Sequence, residues 1–127
     1  IIVPKDTPLL APLAATVAEA GFEAGEGNYG GYVLLRHDDD RFDTFYSLYG
    51  HLSRTDLPRV GDRRQAGEPF ATIGGFHENG HWFYHTHLQI ITVQGLEEGY
   101  LSKGYCAAGD LTRIHKLCPC PMDLFKR

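Results

Sequence analysis

The hydrophobic positions of this chain gather in short runs, and no long 3.6-residue pattern connects them. The runs "GYVLLRH" (31–37), "FDTFYSLYGHL" (42–52), "EPFATIGGF" (68–76) and "HWFYHTHLQIITV" (81–93) are filled with β-branched and aromatic residues and read as strands. "LAPLAATVAEAGF" (10–22) has the alanines of a helix, but Pro12 and its alternation favour a strand. Between the runs lie the turn signals "EAGEGNYGG" (23–31), "HDDDR" (37–41), "VGDRRQAGE" (60–68) and "GGFHENGH" (74–81). Strands separated by short loops predict an all-β domain of mainly antiparallel sheets over residues 1–93. After Thr92 the texture changes. Residues 94–127 read as an irregular C-terminal extension or linker in which "DLTRIHKLC" (110–118) predicts one short helix.

Composition narrows the function classes. The 127 residues can bury a core without staples, and 43% apolar with 22% charged residues is ordinary for a globular protein. A net charge of -4 with scattered Lys and Arg argues against a nucleic-acid partner; the adjacent Arg63 and Arg64 read as a solvated turn. No apolar run approaches the roughly 20 residues of a membrane span. Pro4, Pro8 and Pro12 break the apolar start, so it does not read as a signal peptide. With no initiator Met, Ile1 reads as an internal position. Cys106, Cys118 and Cys120 form an odd set that fits free thiols in a reducing compartment.

Candidate chemistry centres on "HTH". In a strand, His85 and His87 would share one face about 6.5–7 Å apart along the chain. One imidazole could ligate a metal while the other moves a proton on a bound water, or both could be ligands. The same spacing also suits two polar residues on an ordinary strand, and spacing alone does not separate these readings. Tyr46, Tyr49, Trp82, Phe83 and Tyr84 offer either sheet packing or a wall against a peptide or glycan. The remaining candidates read as solvent-facing: His37 with the three aspartates 38–40 at a hairpin tip, His77 and His81 in a loop, His115 on the tail.

Five collinear segments sharpen the picture. "TPLLAPLAATV" (7–17), "NYGGYVLLRH" (28–37), "YGHLS" (49–53), "VGDRRQAGEPFATIG" (60–74) and "HTHLQI" (85–90) together resemble the lysostaphin-type (LytM-like) zinc endopeptidases. That resemblance implies antiparallel sheets of the barrel-sandwich or duplicated-hybrid type, with a groove carrying one Zn²⁺. It implies His87 as a zinc ligand, His85 as the residue that positions or deprotonates the attacking water, and His51 as its partner stabilising the oxyanion. A peptide or peptidoglycan substrate is implied with them. The chain departs from the family pattern in three places. The family's other two ligands, in a His-x-x-x-Asp motif, would stand before the "TPLL" segment, and Asp6 is no substitute because no His lies four residues earlier. "AATV" lacks the usual glycine, and Arg64 stands where an apolar residue is common. The end of the tail, "CPCPMDLF" (118–125), is similar to a segment of bacterial fusions joining a phosphotransferase-like domain, this domain and an aminotransferase. Further domains on both sides would follow, with a cytoplasmic location; a typical family member would sit in the cell envelope. The alternative function is a metal-free binding or scaffold module of the same fold.

Overall fold

A computed structural model describes residues 1–125. Five strands form an antiparallel sheet: β2 (Ala15–Glu23), β3 (Gly30–His37), β4 (Phe45–Leu52), β5 (Arg63–Arg64) and β7 (His87–Thr92), in the order β5-β2-β3-β4-β7. A second, two-stranded sheet pairs β1 (Pro8–Leu10) with β6 (Pro69–Thr72). The expected all-β, antiparallel class is therefore what the chain adopts. The tail carries α1 (Val93–Glu97), α2 (Ile114–Leu117) and one-turn 3-10 helices at Tyr100–Ser102, Ala108–Asp110 and Pro121–Leu124.

The two faces of β3 and β4 explain why these runs are so apolar. Val33, Leu35 and Tyr49 point to one side and pack with Val17, Leu52, Phe70, Ala71 and Ile73 beneath the small sheet. Leu34 and Leu48 point to the other and pack with Ile91, Tyr100 and Leu117, so the tail covers that face. Strands covered on both faces lose the polar alternation of a half-exposed sheet. The tail is tied down by polar bonds as well. Tyr100, 1% exposed, donates its hydroxyl to Asp110 Oδ2 at 2.7 Å, and the Thr92 hydroxyl caps α1 at the Gly95 N–H.

Several boundaries differ from the sequence reading, each for a local reason. The run 81–93 becomes a strand only at His87; before it, the buried Asn79 side chain binds both the N–H and the C=O of Trp82 and holds 79–82 as a turn. At its far end the Thr92 cap diverts Val93 into a helix. The run 10–22 splits into two strands around the bend at 12–14, and 42–52 is strand only from Phe45. Arg63 and Arg64 are no free turn, since they pair with Thr16 and Ala15. His37 is not at a solvated tip. It is fully buried, with Nδ1 on the Ala14 carbonyl and Nε2 on the Ser47 hydroxyl, while the aspartates beyond it engage Arg36 and Arg41 at the surface. Tyr49 belongs to the core, edge-on to Phe70, and leaves the aromatic wall to Trp82 and Phe83.

Glycines let the loops around the end of β4 close on one another. Gly30 has φ of +65°, and a Cβ there would lie 2.1 Å from the Glu78 carbonyl oxygen. We expect Gly30→Ala to lower stability in urea denaturation by roughly 3 kcal/mol or more, because backbone on both sides must move. Gly27→Ala should cost only the left-handed penalty, about 1–2 kcal/mol, since nothing lies within 4 Å of its Cβ position. Equal losses at the two positions would contradict the close approach at Gly30.

Candidate active site

His51 is the penultimate residue of β4, and β7 begins on His87 in register with Gly50. His85 lies two residues upstream, in a bridge to Ile2. This pairing brings the three histidines to one place: ring centroids are 4.3 Å apart for His51 and His85 and 6.4 Å for His51 and His87. Gly50 is required here. A Cβ on it would come 2.7 Å from the Tyr29 ring and 3.3 Å from the His87 Cβ.

His51 is held by two loops, the one before β3 and the one before β7. Its backbone is left-handed, with φ of +65°, an uncommon conformation for a residue with a side chain. Its N–H donates to the Tyr29 carbonyl at 2.7 Å, and its carbonyl accepts from the Gly74 N–H at 3.0 Å. The ring Nδ1 meets the Asn79 carbonyl at 2.8 Å. His85 is fixed in a similar way, with Nδ1 2.7 Å from the Phe83 carbonyl and the Phe83 ring stacked on it. His87 Nε2 lies 3.1 Å from Gln89 Oε1. Burial above all, with positive charge on His85 or His87 adding to it, drives the His51 pKa down to about 4. Burial also lowers the pKa of His87. Trp82 and Phe83 stand exposed beside the rings, Trp82 6.1 Å from His51 and Phe83 4.4 Å from His85 between centroids, while Tyr84 lines a neighbouring cavity with Lys5, Arg54 and Glu78.

The model of Peptidase family M23 matches residues 1–98. The chain belongs to this family. An uncharacterized metalloprotease of Haemophilus influenzae is 33% identical to it over 96 residues, 74% of this chain and 19% of that protein. The M23 chain thus spans about a fifth of the length of the curated relative it matches. The resemblance drawn from the five motifs is borne out at the level of the family.

M23 proteins are in general metal-dependent peptidases. Among the described residues, no three His, Cys, Asp or Glu side chains are grouped so as to hold a metal ion. Asp6 is exposed on its loop. The donor set within this M23 segment therefore does not make a metal centre by itself. Nor is any described helix long and apolar enough to cross a membrane.

Three residues of the site carried no signal that the sequence reading used. Tyr29 packs 5.2 Å from the His87 ring, and its buried hydroxyl has no hydrogen-bond partner among the described residues. Burial, with Glu23 and Cys118 nearby, raises its pKa to about 12. Asn79 is fully buried between His51 and Trp82, and Gln89 braces His87. All three lie inside quoted segments, Tyr29 in "NYGGYVLLRH", Asn79 in "GGFHENGH" and Gln89 in "HTHLQI", but none is singled out there as a site residue. His77 and His81 line the loop against Phe76, and His115 is exposed on the tail.

The His51 environment has a consequence for stability. Its imidazole binds a proton near pH 6.5 when unfolded but only near pH 4 when folded. Between these values the unfolded state holds more protons, so stability falls as pH drops through that window, by up to about 3 kcal/mol from this residue. His51→Asn tolerates the left-handed backbone and removes the titration. The urea midpoint of this variant should vary less between pH 7 and pH 4 than that of the parent; identical pH profiles would refute the assignment.

Proposed function

We propose that this cleft is the proton-handling part of an M23 peptidase centre that hydrolyses peptide bonds, with peptidoglycan peptides as its substrate class. One observation carries the reading: His51 and His85 stand 4.3 Å apart between ring centroids, each with Nδ1 on a backbone carbonyl. A carbonyl can only accept, so Nδ1 carries the proton in both neutral rings and each Nε2 keeps a lone pair. A water molecule has two hydrogens and can donate one to each Nε2. Its own lone pair is then turned toward an incoming peptide carbonyl.

The roles of the two rings differ. With a pKa near 4, His51 stays neutral at pH 7 and serves to orient the water rather than to keep its proton. His85, partly open to solvent, takes the proton as the water oxygen bonds to the carbonyl carbon, and returns it to the leaving amine nitrogen as the C–N bond breaks. The exposed Trp82 and Phe83 offer apolar surface to the flanking side chains. Zinc enters this reading through His87 as one donor, with the other donors coming from outside these 127 residues. A second reading is favoured by the lack of a three-donor group among the described residues: a metal-free module that binds peptides inside a longer protein.

The test compares residues 1–127 with the same protein extended at its N-terminus. The shorter chain should purify without stoichiometric zinc, and the longer one should carry about one zinc per chain and cleave cross-linked stem peptides. In the longer protein, His87→Ala should lose the metal, whereas His85→Ala should keep it and lose roughly 10²–10⁴-fold in turnover. Stoichiometric zinc in the 127-residue chain would overturn the donor assignment. Peptide binding without cleavage in the extended, metal-loaded protein would favour the binding module.

A further inference from the structure

The third histidine is fixed by different means from the other two, and the tail beyond the family-matched segment takes part. Strand β7 places His87, Gln89 and Ile91 on the face that the tail covers, where Ile91 packs with Tyr100 and Leu117. The Gln89 amide nitrogen reaches two groups of that tail, the Tyr100 carbonyl at 3.4 Å and the Cys118 sulfur at 3.3 Å. Its amide oxygen faces His87 Nε2.

The hydrogen-bond roles follow from the one group with no choice. The Tyr100 carbonyl can only accept, so the NH₂ of Gln89 must face it; the reversed amide would set two oxygens against each other. The Gln89 oxygen is then left to His87, and an amide oxygen also can only accept. His87 Nε2 therefore carries the ring proton, and Nδ1 holds the lone pair. This tautomer is the opposite of that in His51 and His85, whose protons sit on Nδ1. The tail reinforces the arrangement sterically. Gly104 lies close over the pair, since a Cβ there would stand 3.7 Å from His87 Cε1 and 3.3 Å from the Tyr29 hydroxyl.

We propose that Gln89 is a positioning residue through which the C-terminal segment 100–118 selects the Nε2–H tautomer of His87. The segment after residue 98 is then a working part of the site rather than a bystander. The inference rests on hydrogen-bond geometry and not on the peptidase reading, so it stands or falls separately from turnover.

Two-bond ¹⁵N–¹H correlation spectra of the ring-labelled 127-residue protein at neutral pH provide the test. In the parent chain His87 should show a protonated Nε2 and a bare Nδ1. Gln89→Leu removes the acceptor, and the preference for that tautomer should fall roughly fivefold or more. Gln89→Glu keeps an oxygen acceptor for Nε2 but sets its second oxygen against the Tyr100 carbonyl, so it should restore the preference only in part. Cys118→Ala removes one of the two anchors and should weaken the preference less than Gln89→Leu does. His51 and His85 should stay in the Nδ1–H form throughout, which separates a local effect from general loosening. A parent His87 protonated at Nδ1 would overturn the proposal without any variant, as would a Gln89→Leu protein with an unchanged tautomer.

Discussion

Everything at this site depends on how the chain leaves strand β4. At His51 the backbone turns left-handed, and two loops that are distant in sequence grip that one residue: Tyr29 from one at its N–H, and Gly74 and Asn79 from the other at its carbonyl and its ring. A left-handed residue with a side chain is costly in isolation, and such conformations persist where the surroundings over-determine them. Here the same grip that offsets the backbone cost also aims the imidazole and fixes its tautomer. The loops are in turn bound to each other, as Gly27 donates to the Gly80 carbonyl and Gly30 lies against Glu78. The fold and the cleft are thus coupled through a single junction rather than through a shared core.

Around that junction the three imidazoles are separately oriented. Two take their orientation from backbone carbonyls in the loop 79–83 and the third from a side-chain amide backed by the tail. Backbone acceptors cannot be altered by substitution, whereas the amide can. The two kinds of support therefore differ in how readily sequence change can retune them. Tyr29 stands among these rings with a buried hydroxyl that has no hydrogen-bond partner among the described residues, and burial keeps that group a neutral phenol at any ordinary pH.

Much of this was legible in the sequence, for identifiable reasons. The cores of β3 and β4 could be read because both faces are buried, which leaves dense runs of Val, Leu and Tyr. His51, His85 and His87 stood out because they lie in short motifs, and the motifs lie in a recognisable order. Polar side chains that act through one distant partner were not legible. Asn79 reads as a turn residue, Gln89 as an ordinary strand position and Tyr29 as part of a glycine-rich connection. Their importance arises only when the loops meet. His37 failed for a related reason: "HDDDR" looks solvated, yet β3 carries its first residue inward to the Ser47 hydroxyl. Helix α1 escaped because five residues including Gly95 have little intrinsic helical bias, and the Thr92 cap with the packing of the tail supplies the rest.

The left-handed turn at His51 also bears on how this sequence could drift. For the backbone alone, glycine is the cheapest occupant of such a position and asparagine follows. Neither offers an imidazole. A library selected only for soluble, stable protein would be drawn at residue 51 toward the residues that empty the cleft, while selection for chemistry would hold the costlier histidine. Histidine there keeps an imidazole in the cleft at a backbone cost, whereas glycine or asparagine would relieve that cost and remove the ring.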